Sequence, residues 1–194
     1  SDVLRTVRRQ STLMIAVLNE LLDLARIEAR QGKDFELAQM DLTQLEREAI
    51  EGLSPPDQRD APVLVEPRGG GHLVVRVDRL KMLQALGNVL SNAYKYSQAP
   101  GRVTVRLLTE ASTSTPPLVG IRIEDEGIGM TPDQLARVTE RFYRADGSGN
   151  VPGTGLGMSI VKEVVNLHGG RLEMHSCYGV GSQITLWLPA TSPA

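Results

Sequence analysis

Two glycine clusters of different chemistry constrain this chain more than any other feature: DEGIGM at 125–130 and GTGLGMSI at 153–160. Glycine at this density marks turns or places where something approaches the backbone closely. The first cluster follows an alternating apolar run, LVGIRIED (118–125), and so stands at a strand end. The second runs straight into a helical pattern. Stacked backbone N–H groups and the positive helix end make such a start a ready anion site. It is not the familiar phosphate loop, because no Gly-Lys-Ser/Thr follows it.

Upstream, QALGNVLSNAYKYS (84–97) lies in a helix expected over 79–97 and capped by Asp78. Leu80, Leu83, Leu86 and Leu90 are expected to face the core. Asn88, Asn92, Lys95 and Tyr96 share another stripe. Burying two amides and an ammonium group is costly unless something pairs with them. Amide oxygens suit a hard cation such as magnesium, and a lysine suits phosphate oxygens. Asp125, at a strand end with Gly127 and Gly129 beside it, can accept a hydrogen bond from an exocyclic amine. Guanine carries a carbonyl at the equivalent ring position, so a carboxylate there would select adenine. A solvated helix face, a tight turn and a glycine-capped helix start would explain the three features separately. A site for a nucleoside triphosphate with its magnesium explains them together.

The remaining texture is that of a globular protein, with 41% hydrophobic and 23% charged residues. A net charge of −2 gives no argument for nucleic acid as a partner. The single cysteine, Cys177, excludes an internal disulfide framework and suits a reducing compartment. No apolar run approaches the roughly 18–20 residues that cross a bilayer, and SDVLRTVRRQ at the start is too charged for a signal peptide. A cytoplasmic chain without membrane contact of its own is expected, either free or as the cytoplasmic part of a membrane-bound protein.

Residues 1–31 read as one helix, with Leu4, Val7, Ser11, Met14, Leu18, Leu21 and Ala25 at the 4-3 spacing of a bundle seam. Leu13, Val17, Leu22, Leu24 and Ile27 widen its apolar face, and Gly32 is a stop signal. Beyond it, FELAQM suggests an edge strand, and Asp41 or Thr43 can cap a helix that Pro55-Pro56 ends. APVLVEP (61–67) and HLVVRVD (72–78) are β-rich runs separated by the turn RGGG. RVTVRLL (102–108) and LVGIRIED flank a solvated hairpin loop at 110–117, Thr131-Pro132 opens a short helix, a helix covers 155–168, and RLEMHS and SQITLWLP form a last hairpin. The expected fold class is α+β: helices on one face of a mixed, mostly antiparallel sheet, behind a long N-terminal helix.

Taken together, GNVLSNAYKYS, DEGIGM, ERFYRAD (140–146) and GTGLGMSI match, in order, the N box, first G box, F box and second G box of a known family. From about Phe35 to Pro189 the sequence resembles the catalytic, ATP-binding domain of bacterial sensor histidine kinases, relatives of gyrase, mismatch-repair ATPases and an ATP-driven chaperone class. Residues 1–32 resemble the second helix of the dimerisation and phosphotransfer bundle, leaving 33–194 as the catalytic domain. The resemblance implies ATP and Mg2+ as ligands, with Asn92 the metal ligand and Asn88 a second candidate. It implies Lys95 on phosphate, Tyr96 against the nucleotide, and Asp125 on the adenine amine, with Gly127 and Gly129 beside it and Thr185 supporting it. Gly153, Thr154, Gly155, Leu156 and Gly157 would line the triphosphate. Residues 130–154 would be a lid anchored by packing of Phe142, with Arg141 or Arg144 neutralising γ-phosphate charge. Val151-Pro152 departs from the family's further glycines.

The family's acceptor histidine is followed by a carboxylate, whereas here His72 precedes Leu73, His168 precedes Gly169 and His175 precedes Ser176. The acceptor is therefore expected upstream of Ser1, His168 reads as a cation-tolerant residue at a helix C-terminus, and His72 and His175 read as strand residues. Implied partners are a second copy of the chain, its own dimerisation helix and a response regulator, with no nucleic acid. An alternative within the superfamily is an ATP-driven switch or ATPase. Such enzymes usually carry a water-activating glutamate where Asn88 stands.

Overall fold

The structure is a computed structural model that describes residues 2–56, 59–65, 73–97, 100–110, 116–145 and 153–191. In chain order the elements are α1 (Asp2–Arg30), β1 (Leu37–Asp41), α2 (Leu42–Glu51), β2 (Val63–Val65), β3 (Val74–Asp78), α3 (Arg79–Tyr96), β4 (Val103–Thr109), β5 (Leu118–Asp125), α4 (Pro132–Arg137), α5 (Gly157–Leu167), β6 (Arg171–Cys177) and β7 (Gly181–Pro189). Local chemistry sets several of these boundaries. The Asp41 and Asp78 side chains accept backbone N–H groups at the starts of α2 and α3, and Thr131 with Gln134 forms a capping box on α4.

Strand alternation builds the core. Five strands run in the order β2-β4-β5-β7-β6, antiparallel except for the β2–β4 pair. Val103, Val105, Leu107, Ile121, Ile123, Ile184, Leu186 and Leu188 are buried. They share one face of the sheet and meet Leu86, Val89 and Leu90 of α3 and Ile160, Val161, Val164 and Val165 of α5 in one cluster. The expected layering of helices on one face of a mixed, mostly antiparallel sheet is the observed one.

One expectation fails, on phase, and a pairing the sequence left open is decided. Among the described residues the runs at 61–67 and 72–78 go to different sheets: β2 lies parallel to β4, while β3 pairs with β1 in a separate two-stranded sheet. Strand propensity reports that a run is extended, not which partner it finds. The RGGG turn and His72 lie outside the described residues. Leu80 is 71% exposed, because α3 turns Met82, Ala85, Leu86, Val89, Leu90 and Ala93 inward and leaves position 80 on nearly the opposite side.

The long helix divides along its length. Leu24 and Ile27 enter the domain core, with Leu21 packed against it, whereas Leu4, Val7, Met14, Leu18 and Leu22 are exposed. Positive φ at Gln31 and Gly32 ends α1 and turns the chain back.

At the far end of α5, His168 is buried, stacked on Phe35 with ring centroids 4.9 Å apart. Nδ1 lies 2.7 Å from the Val164 carbonyl and Nε2 accepts the Asp78 N–H at 2.9 Å. A ring nitrogen that accepts carries no proton, and burial pushes the imidazole below its usual range. His168 is therefore a neutral bridge between α5 and the α3 N-cap, not a cation facing a helix end.

Candidate functional site

The α3 stripe, the end of β5 and the start of α5 surround one cavity of about 350 Å³. Asn88, Asn92, Lys95 and Tyr96 line it from α3, Asp125 and Gly129 from the first glycine cluster, and Gly153, Thr154, Gly155 and Gly157 from the second. Helical spacing placed the first four together, and the sheet brought the rest to them.

Asp125 sits at the end of β5 opposite Ser182 of β7. Its Oδ1 is buried and, among the described residues, has no hydrogen-bond partner. Burial pushes its carboxyl up to about 6, and the backbone N–H groups of Gly127 and Ser182 limit the rise. A buried carboxylate oxygen left unpaired costs free energy, and a donor entering the cavity would remove that cost. The loop beyond it is fixed to α3 by the Ile128 N–H on the Tyr96 carbonyl at 3.0 Å. Position 127 must be glycine there, since a Cβ would stand 2.5 Å from both Asp125 Oδ1 and the Tyr96 oxygen.

At the opposite end, α5 begins at Gly157 behind Leu156, an N-cap that makes no side-chain hydrogen bond, and the Thr154 hydroxyl accepts the Leu156 N–H at 3.2 Å. First-turn N–H groups of this kind suit an anion. Asn88 donates from Nδ2 to the Gly157 carbonyl at 3.3 Å, which ties α3 to the glycine loop. Among the described residues no three of His, Cys, Asp or Glu converge as a metal cage. A hard cation here would take its oxygens from amides and from the nucleotide.

Residues 77–192 match the family described as histidine kinase-, DNA gyrase B-, and HSP90-like ATPase. The chain belongs to that family. Over 192 residues it is 27% identical to the circadian input-output histidine kinase CikA of Synechococcus elongatus, covering 97% of this chain and 25% of that protein. Among solved structures, the mycobacterial sensor histidine kinase MprB is 30% identical with a TM-score of 0.66, over 79% of this chain and 97% of that one. Full-length ShkA in complex with AMPPNP is 26% identical with a TM-score of 0.78, over 97% of this chain and 38% of that one. The chain thus spans a quarter of the length of CikA and carries the ATP-binding catalytic region of a sensor histidine kinase.

Within this histidine-kinase fold, the F-box segment departs most from expectation. Phe142 does not anchor the lid by packing: it is 55% exposed at φ 61°. What holds the segment is its backbone, the Phe142 N–H donating to the Gly155 carbonyl at 2.9 Å. Gly155, at φ 76°, lies so close that a Cβ would be 2.8 Å from the Phe142 backbone. Arg141 turns away from the cavity and pairs with Glu28 of α1. Arg144 does line the cavity, with Nη1 donating to the Gly153 carbonyl at 3.3 Å. Residues 146–152 of the expected lid, Val151-Pro152 among them, lie outside the described residues.

The side chains of two further expected site residues face away from the cavity. Thr185 is 1% exposed but faces the other side of the sheet, where its hydroxyl accepts from Arg122 Nε at 2.9 Å. With Asp125 paired to Ser182, the period of two sends residue 185 to the face opposite Asp125. Leu156 buries its side chain in the core rather than in the cavity. Sequence reasoning missed Ser182, whose N–H addresses Asp125, and Tyr143, which lines the cavity beneath the Arg137 guanidinium at 4.3 Å. It also missed Leu13, Ala16 and Glu20, by which α1 enters the site. Ser182 is identified only by the β5–β7 register, which sets it opposite Asp125. Nothing local points to Glu20.

Proposed function

We propose that this chain catalyses transfer of the γ-phosphoryl group of ATP to a histidine on a dimerisation helix outside these residues, for relay to a response regulator. The observation that carries the proposal is the buried, unpaired Oδ1 of Asp125, at one end of a cavity whose other end is the uncapped start of α5. An amine donor at one end and an anion at the other is the polarity of adenosine triphosphate.

In this reading Asp125 accepts the adenine amino group, Gly127 and Gly129 let the base approach, and Tyr96 packs against it. Lys95 and Arg144 meet phosphate oxygens, while Gly153, Thr154, Gly155 and Gly157 supply N–H and hydroxyl donors. Asn92, supported by Asn88, gives an amide oxygen to Mg2+, which when bound spreads the charge of the triphosphate. A histidine nitrogen bonds the γ-phosphorus as its bond to the β–γ bridging oxygen breaks, and ADP leaves with that electron pair. The chain's residues hold the phosphates in line for this exchange, and positioning supplies most of the rate. Residues 1–32 serve as the second helix of the dimerisation bundle and 33–194 as the catalytic domain. The exposed stripe Val7, Met14, Leu18 packs in a homodimer in the cytoplasm. Among the described residues no helix is long and apolar enough to cross a membrane.

Radiolabelled ATP tests the proposal directly. The chain alone is expected to take no acid-labile label, and the chain extended upstream through a histidine-bearing helix is expected to take it. Label on the chain alone would place the acceptor among these residues, and a silent extended chain would favour an ATP-driven switch.

A further inference from the structure

The N-terminal helix does more than pack beside the site, because Leu13, Ala16 and Glu20 form part of the cavity wall. The Glu20 carboxylate accepts the hydroxyl of Thr154, between two glycines of the second cluster. Two turns further on, Glu28 holds Arg141 at the other flank of the lid. Between them Asp23 pairs with Lys81 Nζ of α3 at 2.8 Å. Three carboxylates on one helix thus grip α3 and both described flanks of the lid.

We propose that Glu20 is a gate: while α1 is docked, its carboxylate occupies the phosphate end of the cavity, and ATP binding requires α1 to release Thr154. The inference rests on the reading of residues 153–157 as the triphosphate loop. Two physical facts carry it. A threonine hydroxyl has one proton, so Thr154 cannot donate to Glu20 and to a phosphate oxygen at once. A carboxylate beside a polyphosphate in a partly desolvated cavity is repelled by each of its charges, and the γ-phosphate adds to that repulsion. The grip is reversible, since half-exposed pairs such as Glu28 with Arg141 hold weakly. The coupling is reciprocal: whatever moves α1 alters ATP affinity by the same factor by which ATP loosens α1. Upstream motion is thereby converted into nucleotide loading.

Calorimetric titration of the unaltered chain, Glu20→Gln and Asp125→Asn with ATP and with ADP tests the gate. Glutamine keeps an acceptor for Thr154 but removes the charge. Glu20→Gln is expected to bind ATP about tenfold more tightly, with a smaller gain for ADP. Hydrogen exchange gives a second measurement on the unaltered chain: amides of residues 13–20 should exchange faster when ATP is added. Unchanged or weaker ATP binding by Glu20→Gln, or slower exchange along residues 13–20 with ATP, overturns the gate while Asp125→Asn still loses affinity. If Asp125→Asn binds ATP as the unaltered chain does, the site assignment itself falls.

Discussion

The two ends of the cavity are built on different principles. At the Asp125 end the carboxyl and the Ser182 amide belong to paired strands, the Tyr96 carbonyl to a helix terminus and the Gly127 amide to the loop after β5, locked by backbone hydrogen bonds and by contacts too close for any Cβ. At the Thr154 end the described flanks of the 130–154 segment lie on the surface: α4 has no buried residue, Phe142 is exposed, and Glu20 and Glu28 of another element hold them. Recognition of a base needs a fixed, desolvated acceptor, because the free energy lies in not having to reorganise. Loading and release of phosphates need a segment of low opening free energy. On the proposed reading, this division puts selectivity where the sheet is rigid and control where side chains can let go.

The largest test of that contrast is Asp125→Asn. Losing a charge-assisted bond in a buried setting should cost about 1.5–3 kcal/mol, roughly ten- to a hundredfold in ATP affinity by calorimetry. Undiminished affinity would move the adenine elsewhere and dissolve the distinction between the two ends.

The next effect belongs to the phosphate end. In Asn92→Ala a methyl group replaces an amide oxygen, so ATP affinity should lose its dependence on magnesium while affinity measured without metal stays near that of the parent. A mutant titration that responds to magnesium as the parent does would remove Asn92 from the metal shell.

Acidity separates the ends again. The Asp125 carboxyl, raised from 3.8 to about 6, favours its neutral form in the folded chain. Its contribution to folding is therefore present below 3.8 and lost as pH rises through about 6, where the buried charge becomes a cost. With Asp125 as the proposed acceptor of the adenine amine, ATP binding is expected to run the other way, favouring the ionised carboxylate. One unit below that midpoint about a tenth of the carboxylate remains, so affinity should fall about tenfold. Asp125→Asn should lose this slope, and an equally steep decline in the variant would assign the titration to another group.

The smallest expected change is the most discriminating for strand register. Thr185→Val removes the acceptor of Arg122 on the outer face and should cost about 1 kcal/mol of stability in denaturant unfolding, yet shift ATP affinity less than about twofold. A large loss of affinity would return Thr185 to the cavity.

Much of the molecule is legible in its residues because the relevant spacings are local. Asn88, Asn92, Lys95 and Tyr96 must share a stripe once their segment is helical, since 3.6 residues per turn sets their angles with no reference to the rest of the chain. The caps Asp41, Asp78 and Thr131 act within three residues of their own position, so the helix starts are readable for the same reason. The alternation of β4 likewise announces a sheet with one face turned to the core. What could not be read depends on which distant segment lies opposite. Pairing Asp125 with Ser182 decided that Ser182 reaches the carboxylate and Thr185 does not, because a shift of one residue reverses every side chain of a strand. The partners of β2 and β3, the neutral role of His168 against Asp78, and the arrival of Glu20 at Thr154 each join residues far apart in the chain. Periodicity sets an angle about one axis; only the assembled core sets the angle between axes, and that determined which of the eligible side chains face the nucleotide site.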